Sequence, residues 1–195
     1  LPENIADTII LVGDQGRVGK VSKHFDSIEF SIQKREFLTH TGRIGGKRLT
    51  VMSTGIGTDN IDIVINELDA LVNIDLNTRT IKDEKKTLNL IRLGTSGSLQ
   101  EDIPVDSFLL STHGIGFDGV MNYYEKVSEV EDTVLTDAFI EQVGWSSAFP
   151  RHYIVEGSKK LLEILKEGTF QGLTATANGF YGPQGRQLRF KPTVH

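Results

Sequence analysis

Cysteine is absent from the 195 residues of this sequence. Its absence excludes disulfides, thiolate nucleophiles and cysteine zinc sites, and it favours a cytoplasmic setting. No apolar run approaches the ~20 residues that a membrane helix needs, and no signal peptide is visible. The 21 basic residues are outnumbered by 26 acidic ones, and the net charge of -5 argues against a broad nucleic-acid surface. We therefore expect neither a membrane nor a nucleic acid as a partner.

Signals for metal or nucleophilic chemistry are weak as well. Ser96 and Ser98 have no sign of a partner base, and no carboxylate pair suggests glycosidase chemistry. The histidines show no ligand spacing, which predicts no metal site. They are His24, His40, His113, His152 and His195.

Short apolar strands that end at glycines interleave with helices, which predicts an α/β fold with a mixed sheet. The length suits one domain, residues 1–195. Residues 73–87 read as a polar, solvated excursion. The predicted strands are Thr8 to Val12, Ser27 to Ile32, Glu36 to Gly42, Arg48 to Thr54, Leu88 to Leu93, Asp106 to Thr112 and Gly172 to Asn178. The predicted helices run from Ile61 to Val72, Thr133 to Val143 and Lys159 to Lys166.

The first glycine turn resembles a P-loop but fails its spacing. Five residues separate Gly13 from Gly19, where the P-loop has four, and Val21 stands where a hydroxyl should meet magnesium. What remains is a strand, a glycine turn and Arg17 at the start of a predicted helix. Free N–H groups and the helix dipole converge there, which suits a small anion.

Two further turns follow strands. Arg92 interrupts the apolar strand end Leu90–Leu93, where a charge is costly to bury unless it is paired, and residues 94–98 supply hydroxyls and flexible backbone for an anion. Gly55-Ile56-Gly57 is half of a dinucleotide fingerprint, with Asn60 at the third glycine position, so a tight strand-to-helix turn is the simpler interpretation. We expect Thr58 or Asp59 to cap the helix that follows.

The segment Phe180–Arg186 carries an amide and a guanidinium two residues apart. If the segment is extended, Gln184 and Arg186 share a face, and together they can bind a planar ring with two carbonyls and an N–H between them. An ordinary exposed turn is the alternative interpretation.

Five motifs, in this order, resemble the nucleoside phosphorylase family, and the Gln-Gly-Arg is similar to that of its uridine phosphorylases. They are Gly13-Asp14 with Arg17-Val18, Arg35-Glu36-Phe37, Ser53 to Gly57, Arg92 to Gly97 and Phe180 to Arg186. The resemblance runs from about Pro2 to about Arg186, and Gln15 stands where the family commonly has proline. It implies a three-layer α/β/α fold with a central mixed sheet, and phosphorolysis of uridine to uracil and ribose 1-phosphate.

The resemblance also implies roles for single residues. Phosphate binding falls to Gly13, Arg17, Arg35, Arg92 and Thr95. Nucleoside binding falls to Thr95, Ser96, Gly97, Phe180, Gln184 and Arg186, and catalysis to Arg92, Gln184 and Arg186. The family delivers the arginine matching Arg35 to the neighbouring subunit, which implies a homodimer or a hexamer of dimers. Inorganic phosphate is the co-substrate with no organic cofactor, and some bacterial members hold K⁺ at the glutamate matching Glu36.

Two family segments have no match among these residues: a histidine-bearing one before the first strand and a Met-Glu pair that grips the ribose. We therefore expect a domain incomplete at both ends, with a phosphate and base half-site. A purine nucleoside phosphorylase and a truncated, non-catalytic form that binds nucleoside and phosphate stay open as alternatives.

Overall fold

Two compact units, Leu1–Thr95 and Ser96–His195, divide the chain in the computed structural model, which describes residues 1–193. His195, one of the five histidines, lies outside the described residues. Within residues 1–193 no helix is long and apolar enough to cross a membrane. The predicted single domain 1–195 stays a prediction.

The first unit is built on a five-stranded mixed sheet. Its elements are β1 (Thr8–Val12), α1 (Gln15–Ser22), β2 (Ser27–Lys34), β3 (Phe37–Ile44), β4 (Lys47–Ser53), α2 (Thr58–Asn73), β5 (Ile74–Asp75), β6 (Thr80–Ile81) and β7 (Asn89–Leu93). The strand order is β2-β3-β4-β1-β7. β1 runs parallel to β4 and to β7, while β2, β3 and β4 form an antiparallel meander.

The two long helices of this unit cover opposite faces of the sheet. Side chains alternate along a strand, and those of β1 enter two different clusters. Ile9 and Leu11 pack with Val64, Leu68 and Val72 of α2. Val12 packs instead with Val18 of α1 and Val51, and Ile10 joins that side. A helix, a mixed sheet and a helix therefore form three layers, which confirms the predicted α/β fold with a central mixed sheet.

The second unit carries a smaller mixed sheet of three strands in the order β10-β8-β9. Its elements are β8 (Leu109–Gly116), α3 (Thr133–Val143), β9 (Tyr153–Glu156), α4 (Lys159–Leu165) and β10 (Phe170–Thr176). β10 is parallel to β8, and β9 is antiparallel to it. Buried Thr136 joins α3 to this sheet, because its Oγ1 accepts a hydrogen bond from the Ile154 N–H at 3.1 Å.

One local prediction was wrong, and one needs an addition. Helix α2 begins at Thr58 with Gly57 at its N-cap (φ +98°) and no side-chain cap bond, so neither Thr58 nor Asp59 caps it. Residues 73–87 are mostly exposed, as predicted, but they also contain the β5–β6 hairpin and buried Asn73. The Asn73 amide bonds the Lys86 backbone twice, at 2.7 and 3.2 Å, which fastens the excursion to the end of α2.

A buried histidine occupies an aromatic cage in the second unit. His152 is 0% exposed, and the rings of Phe117, Phe139 and Trp145 meet its ring nearly perpendicularly at centroid distances of 4.9 to 5.5 Å. Neither of its ring nitrogens has a hydrogen-bond partner within the described chain. Burial lowers the pKa of His152 below its ordinary value of 6.5, and neighbouring Arg151 lowers it further. The cage therefore holds the neutral imidazole.

This cage predicts acid sensitivity. Above pH 6.5 the His152 imidazole is neutral in both the folded and the unfolded state. Below pH 6.5 the imidazole of the unfolded chain binds a proton, whereas the buried imidazole, with its lowered pKa, stays neutral. The free energy of unfolding should therefore fall as the pH drops from about 7.5 to about 5.5. Urea titrations across that range measure it. His152→Phe should flatten the dependence, whereas the exposed His24→Gln should keep it; an unchanged slope in His152→Phe contradicts the prediction.

Candidate functional site

Three parallel strands of the first unit end at one edge of its sheet. Val12 pairs with Ser53 of β4 on one side and with Leu93 of β7 on the other. Just beyond β4, buried Thr54 donates its backbone N–H to the Val12 carbonyl at 2.8 Å. The loops that follow the three strands therefore leave from neighbouring positions. This is the edge where glycine loops were expected to gather a ligand.

The turn after β1 leads into the N-terminus of α1. Asp14 caps the helix, and its Oδ1 accepts from the Arg17 N–H at 3.2 Å. Its Oδ2 lies 3.1 Å from the Arg17 Nε. A Cβ added at Gly13 would meet no heavy atom within 4 Å, so the backbone there is open to a ligand. The predicted strand, turn and helix are present, and the Arg17 guanidinium is paired with Asp14, the residue that caps the helix.

The Arg35 turn joins β2 to β3 and is tethered on both sides. Arg35 is exposed and has φ +54°, a strained value for a residue with a side chain. Its carbonyl accepts from the Gln15 Nε2 at 2.5 Å. The Ser53 hydroxyl donates to the Glu36 carbonyl at 2.6 Å and accepts from the Leu38 N–H at 2.8 Å. The sequence alone gave no sign of these long-range hydrogen bonds of Gln15 and Ser53.

A cavity of about 610 Å³ lies among these loops. Its lining residues are Gly13, Asp14, Gln15, Gly16, Glu36, Gly55, Ile56 and Asn60. The lining carries two carboxylates, and the guanidinium groups of Arg17, Arg35 and Arg92 lie outside it. Two carboxylates disfavour an anion among the lining residues themselves.

Gly55 adopts a backbone conformation, in a tight space, where a side chain would be strained. Its φ is +75°, and a Cβ there would lie 2.5 Å from the Asn60 Nδ2 and 2.8 Å from the Glu36 Cγ. The Asn60 amide also donates to the Ile56 carbonyl at 3.0 Å. Asn60 therefore completes a tight strand-to-helix turn, as the simpler interpretation predicted.

Arg92 lies near the end of β7, which is an edge strand of the first unit's sheet. It pairs in register with Leu11, two residues before Gly13. The residue is exposed in the structure, so the expected cost of burying its charge does not arise. A Cβ built at Gly94 would be 4.0 Å from the Arg92 Nε, which places the guanidinium arm beside the loop that continues to Thr95.

The second unit holds the remaining predicted residues, Ser96, Gly97, Phe180, Gln184 and Arg186. Residues Gly182–Gln184 form a 3₁₀ turn and Gly185 has φ +66°, so the segment is a turn, as the alternative interpretation had it, and not extended. Pro183 fixes a turn-compatible φ and explains the difference. The Gln184 Nε2 donates to the Gly179 carbonyl at 3.0 Å. The Arg186 guanidinium lies 4.2 Å over the Phe180 ring, a cation–π contact.

The predicted site residues thus fall into two groups, one in each unit. Gly13, Arg17, Arg35, Arg92 and Thr95 belong to the first. That the two groups form one site stays a prediction. Within residues 1–193 no three His, Asp or Glu side chains cluster as metal ligands.

A family model described as the phosphorylase superfamily matches residues 7–195. The chain belongs to this superfamily. The predicted nucleoside phosphorylase resemblance is confirmed by its relatives among known proteins. A uridine phosphorylase of Thermococcus kodakarensis is 29% identical over 95% of this chain and 56% of its own length. One of Treponema pallidum is 34% identical over 69% of the chain and 48% of its own length.

Purine-specific relatives are also similar to this chain. A DeoD-type purine nucleoside phosphorylase of Clostridium perfringens is 37% identical over 55% of the chain and 40% of its own length. The chain spans about half the length of the curated relatives it matches. The relatives therefore support the family but leave the base open.

Solved structures support the fold. A Trypanosoma brucei nucleoside phosphorylase, described as showing uridine phosphorylase activity, matches with a TM-score of 0.83 and 31% identity, over 96% of this chain and 68% of its own. A Vibrio fischeri uridine phosphorylase, at 20% identity and a TM-score of 0.65 over 92% of this chain and 61% of its own, shows the same fold.

Gly55 and Gly13 allow a matched test of the site's backbone. Gly55→Ala should destabilise the first unit by about 1–3 kcal/mol, because it combines a positive φ with two close contacts. Gly13→Ala should change stability by less than about 0.5 kcal/mol, because its Cβ points into open space. Denaturant unfolding of the two variants measures this. Equal losses of stability would contradict the geometry.

Proposed function

We propose that this chain carries the phosphate- and base-binding parts of a uridine phosphorylase. In the reaction a phosphate oxygen forms a bond to C1′ of the ribose while the C1′–N1 glycosidic bond breaks. The bonding electrons leave with uracil, which takes up a proton, and the sugar is released as ribose 1-phosphate.

The register between β1 and β7 is the observation that carries this proposal. It sets Arg92 beside Leu11, close to the turn that presents Gly13, the start of α1 and Arg17. A helix N-terminus and two guanidinium groups near one strand edge suit an anion with several oxygens. Phosphate is already negatively charged and needs placement rather than deprotonation, so this arrangement requires no general base.

Asp14 orients Arg17 in the proposed phosphate site. Its carboxylate holds the Arg17 Nε at 3.1 Å, so the guanidinium is oriented before any anion arrives. A phosphate that enters competes with Asp14 for the Arg17 guanidinium. It accepts hydrogen bonds from the guanidinium N–H groups that the carboxylate leaves unused. Charge-assisted hydrogen bonds of this kind contribute roughly 1.5–3 kcal/mol each.

The base is assigned to the second unit. As the glycosidic bond stretches, the uracil becomes anionic, and Arg186 and Gln184 would stabilise charge that appears only in the transition state. In the structure both side chains have provisional partners, the Phe180 ring and the Gly179 carbonyl. Exchanging those partners for the two carbonyls and the N–H of a uracil is the step that we propose gives pyrimidine specificity.

Purine phosphorolysis is the second candidate, and the DeoD-type relatives at 35–37% identity favour it. Adenine, hypoxanthine and guanine present no pair of carbonyls flanking an N–H, and so leave Arg186 without a function. A non-catalytic form that binds nucleoside and phosphate is the third candidate. The Gln184 and Arg186 pair, which suits the two carbonyls and the N–H of uracil, favours uridine among the three.

The exposed Arg35 turn supports a proposal about assembly. A guanidinium on a hairpin that projects from an edge pair of strands suits delivery to a neighbouring subunit, so we propose a homodimer or a hexamer built of dimers. The proposal includes no organic cofactor and a cytoplasmic location. Half-buried Glu36 beside this turn is the residue that would hold K⁺ at such a contact.

Uracil release by the intact protein tests the reaction. Uridine should yield uracil only when phosphate is present, and Arg92→Gln should raise the phosphate KM by about 10- to 150-fold, the loss of one charge-assisted pair. Arg79→Gln, in the β5–β6 turn, is the matched control and should behave as wild type. Uracil release without phosphate would exclude phosphorolysis, and uridine binding without any uracil would favour the non-catalytic form.

Substitution of Arg186 tests which nucleobase the protein accepts. Arg186→Met should lower kcat/KM for uridine by about 10²-fold or more, because it removes a charge used in the transition state. Phosphate affinity in the same variant should stay at the wild-type value. Parallel assays with inosine separate the candidates, since wild-type turnover of inosine that survives Arg186→Met would establish the purine activity instead.

A further inference from the structure

Gln15 links the start of helix α1 to the Arg35 turn. It is the first residue of α1, it lines the cavity and it is half-buried. Its Nε2 donates to the Arg35 carbonyl at 2.5 Å, and its Oε1 accepts from the Gln33 Nε2 at 3.2 Å. One side chain thus joins the start of the anion-binding helix to the Arg35 turn.

The Arg35 turn needs such a tether. Its φ of +54° is strained for arginine, and β2 is the other edge strand of the sheet. The ladder between β2 and β3 ends at the pair Lys34 and Phe37, so residues 35 and 36 are held by other bonds. Ser53 holds the carbonyl of Glu36 and Gln15 holds that of Arg35. Without Gln15, one side of the turn loses its anchor.

We propose that Gln15 is a positioning residue that links two proposed phosphate-binding elements, the N-terminus of α1 and the Arg35 turn. It fixes the Arg35 turn relative to the helix start of the same subunit, so the guanidinium is presented in one orientation to the phosphate of the neighbouring subunit. The inference rests on the proposed function. Proline at this position would start the helix well but has no side-chain donor for the Arg35 carbonyl.

Two substitutions of Gln15 remove its hydrogen bond to the Arg35 carbonyl but keep a residue that suits the start of α1. Gln15→Pro keeps a favourable first helical residue, and Gln15→Met keeps the side-chain length without an amide. In the intact protein both should speed hydrogen exchange of the amides at residues 34–37 by about 2- to 10-fold. Both should also raise the phosphate Kd, measured by calorimetry, by a similar factor. Gln142→Met, an exposed glutamine on α3, is the matched control and should change neither quantity.

A double-mutant cycle distinguishes positioning from general loosening. Once Arg35 is replaced by glutamine, the loss of Gln15 should have little further effect on phosphate affinity, because the group that it positions is gone. Strictly additive losses would overturn the proposal. So would exchange rates at residues 34–37 that match wild type, or faster exchange with an unchanged phosphate Kd.

These measurements do not depend on turnover. A protein whose phosphate affinity depends on Arg35 and, through it, on Gln15, yet which releases no uracil, would contradict the proposed function and leave the tether standing. A wild-type protein that binds no phosphate would overturn both.

Discussion

The parallel pairing of β1 with β4 and β7 is the constraint on which the candidate site depends. It aligns Val12 with Ser53 and Leu93, and the bond from Thr54 to the Val12 carbonyl extends the alignment past the end of β4. Because the strands are parallel, their carboxyl ends and following loops share one edge. The glycine turn, the Gly55 turn and the Arg92 loop are far apart in sequence, and this register alone makes them neighbours.

In each unit a charged side chain is held by a partner that a ligand could replace. Asp14 holds the Arg17 side chain, and in the second unit the Phe180 ring carries Arg186. Such partners orient a charged side chain in advance, which reduces the entropy lost when a ligand binds, but they also compete with the ligand. The carboxylates of Asp14 and Glu36 in the cavity lining also disfavour an anion beside them.

Local pattern predicted much of this fold, and non-local bonds account for what it missed. The bounds of β1 and α3 follow from apolar runs between turn residues, and the apolar repeat of α2 places its buried face on the sheet. The pattern missed β9, a short strand whose partners lie far away in sequence. It left the segment at Gly182–Gln184 open between an extended segment and a turn, and the structure has a turn. The tethers made by Ser53 and Gln15 reach across 17 and 20 residues, and no local signal reports such contacts.

The division of the predicted residues between the two units suggests how one scaffold serves several bases. Every nucleoside phosphorylase must place phosphate, and Gly13, Arg17 and Arg92 all belong to the first unit. The groups proposed to tell one base from another, Gln184 and Arg186, lie on a turn of the second. A 3₁₀ turn shaped by one proline and one left-handed glycine can change its side chains without disturbing a sheet. Under the proposed assignment, base preference can change in the second unit while the phosphate-binding residues of the first are kept, which agrees with the uridine and purine phosphorylases among the relatives.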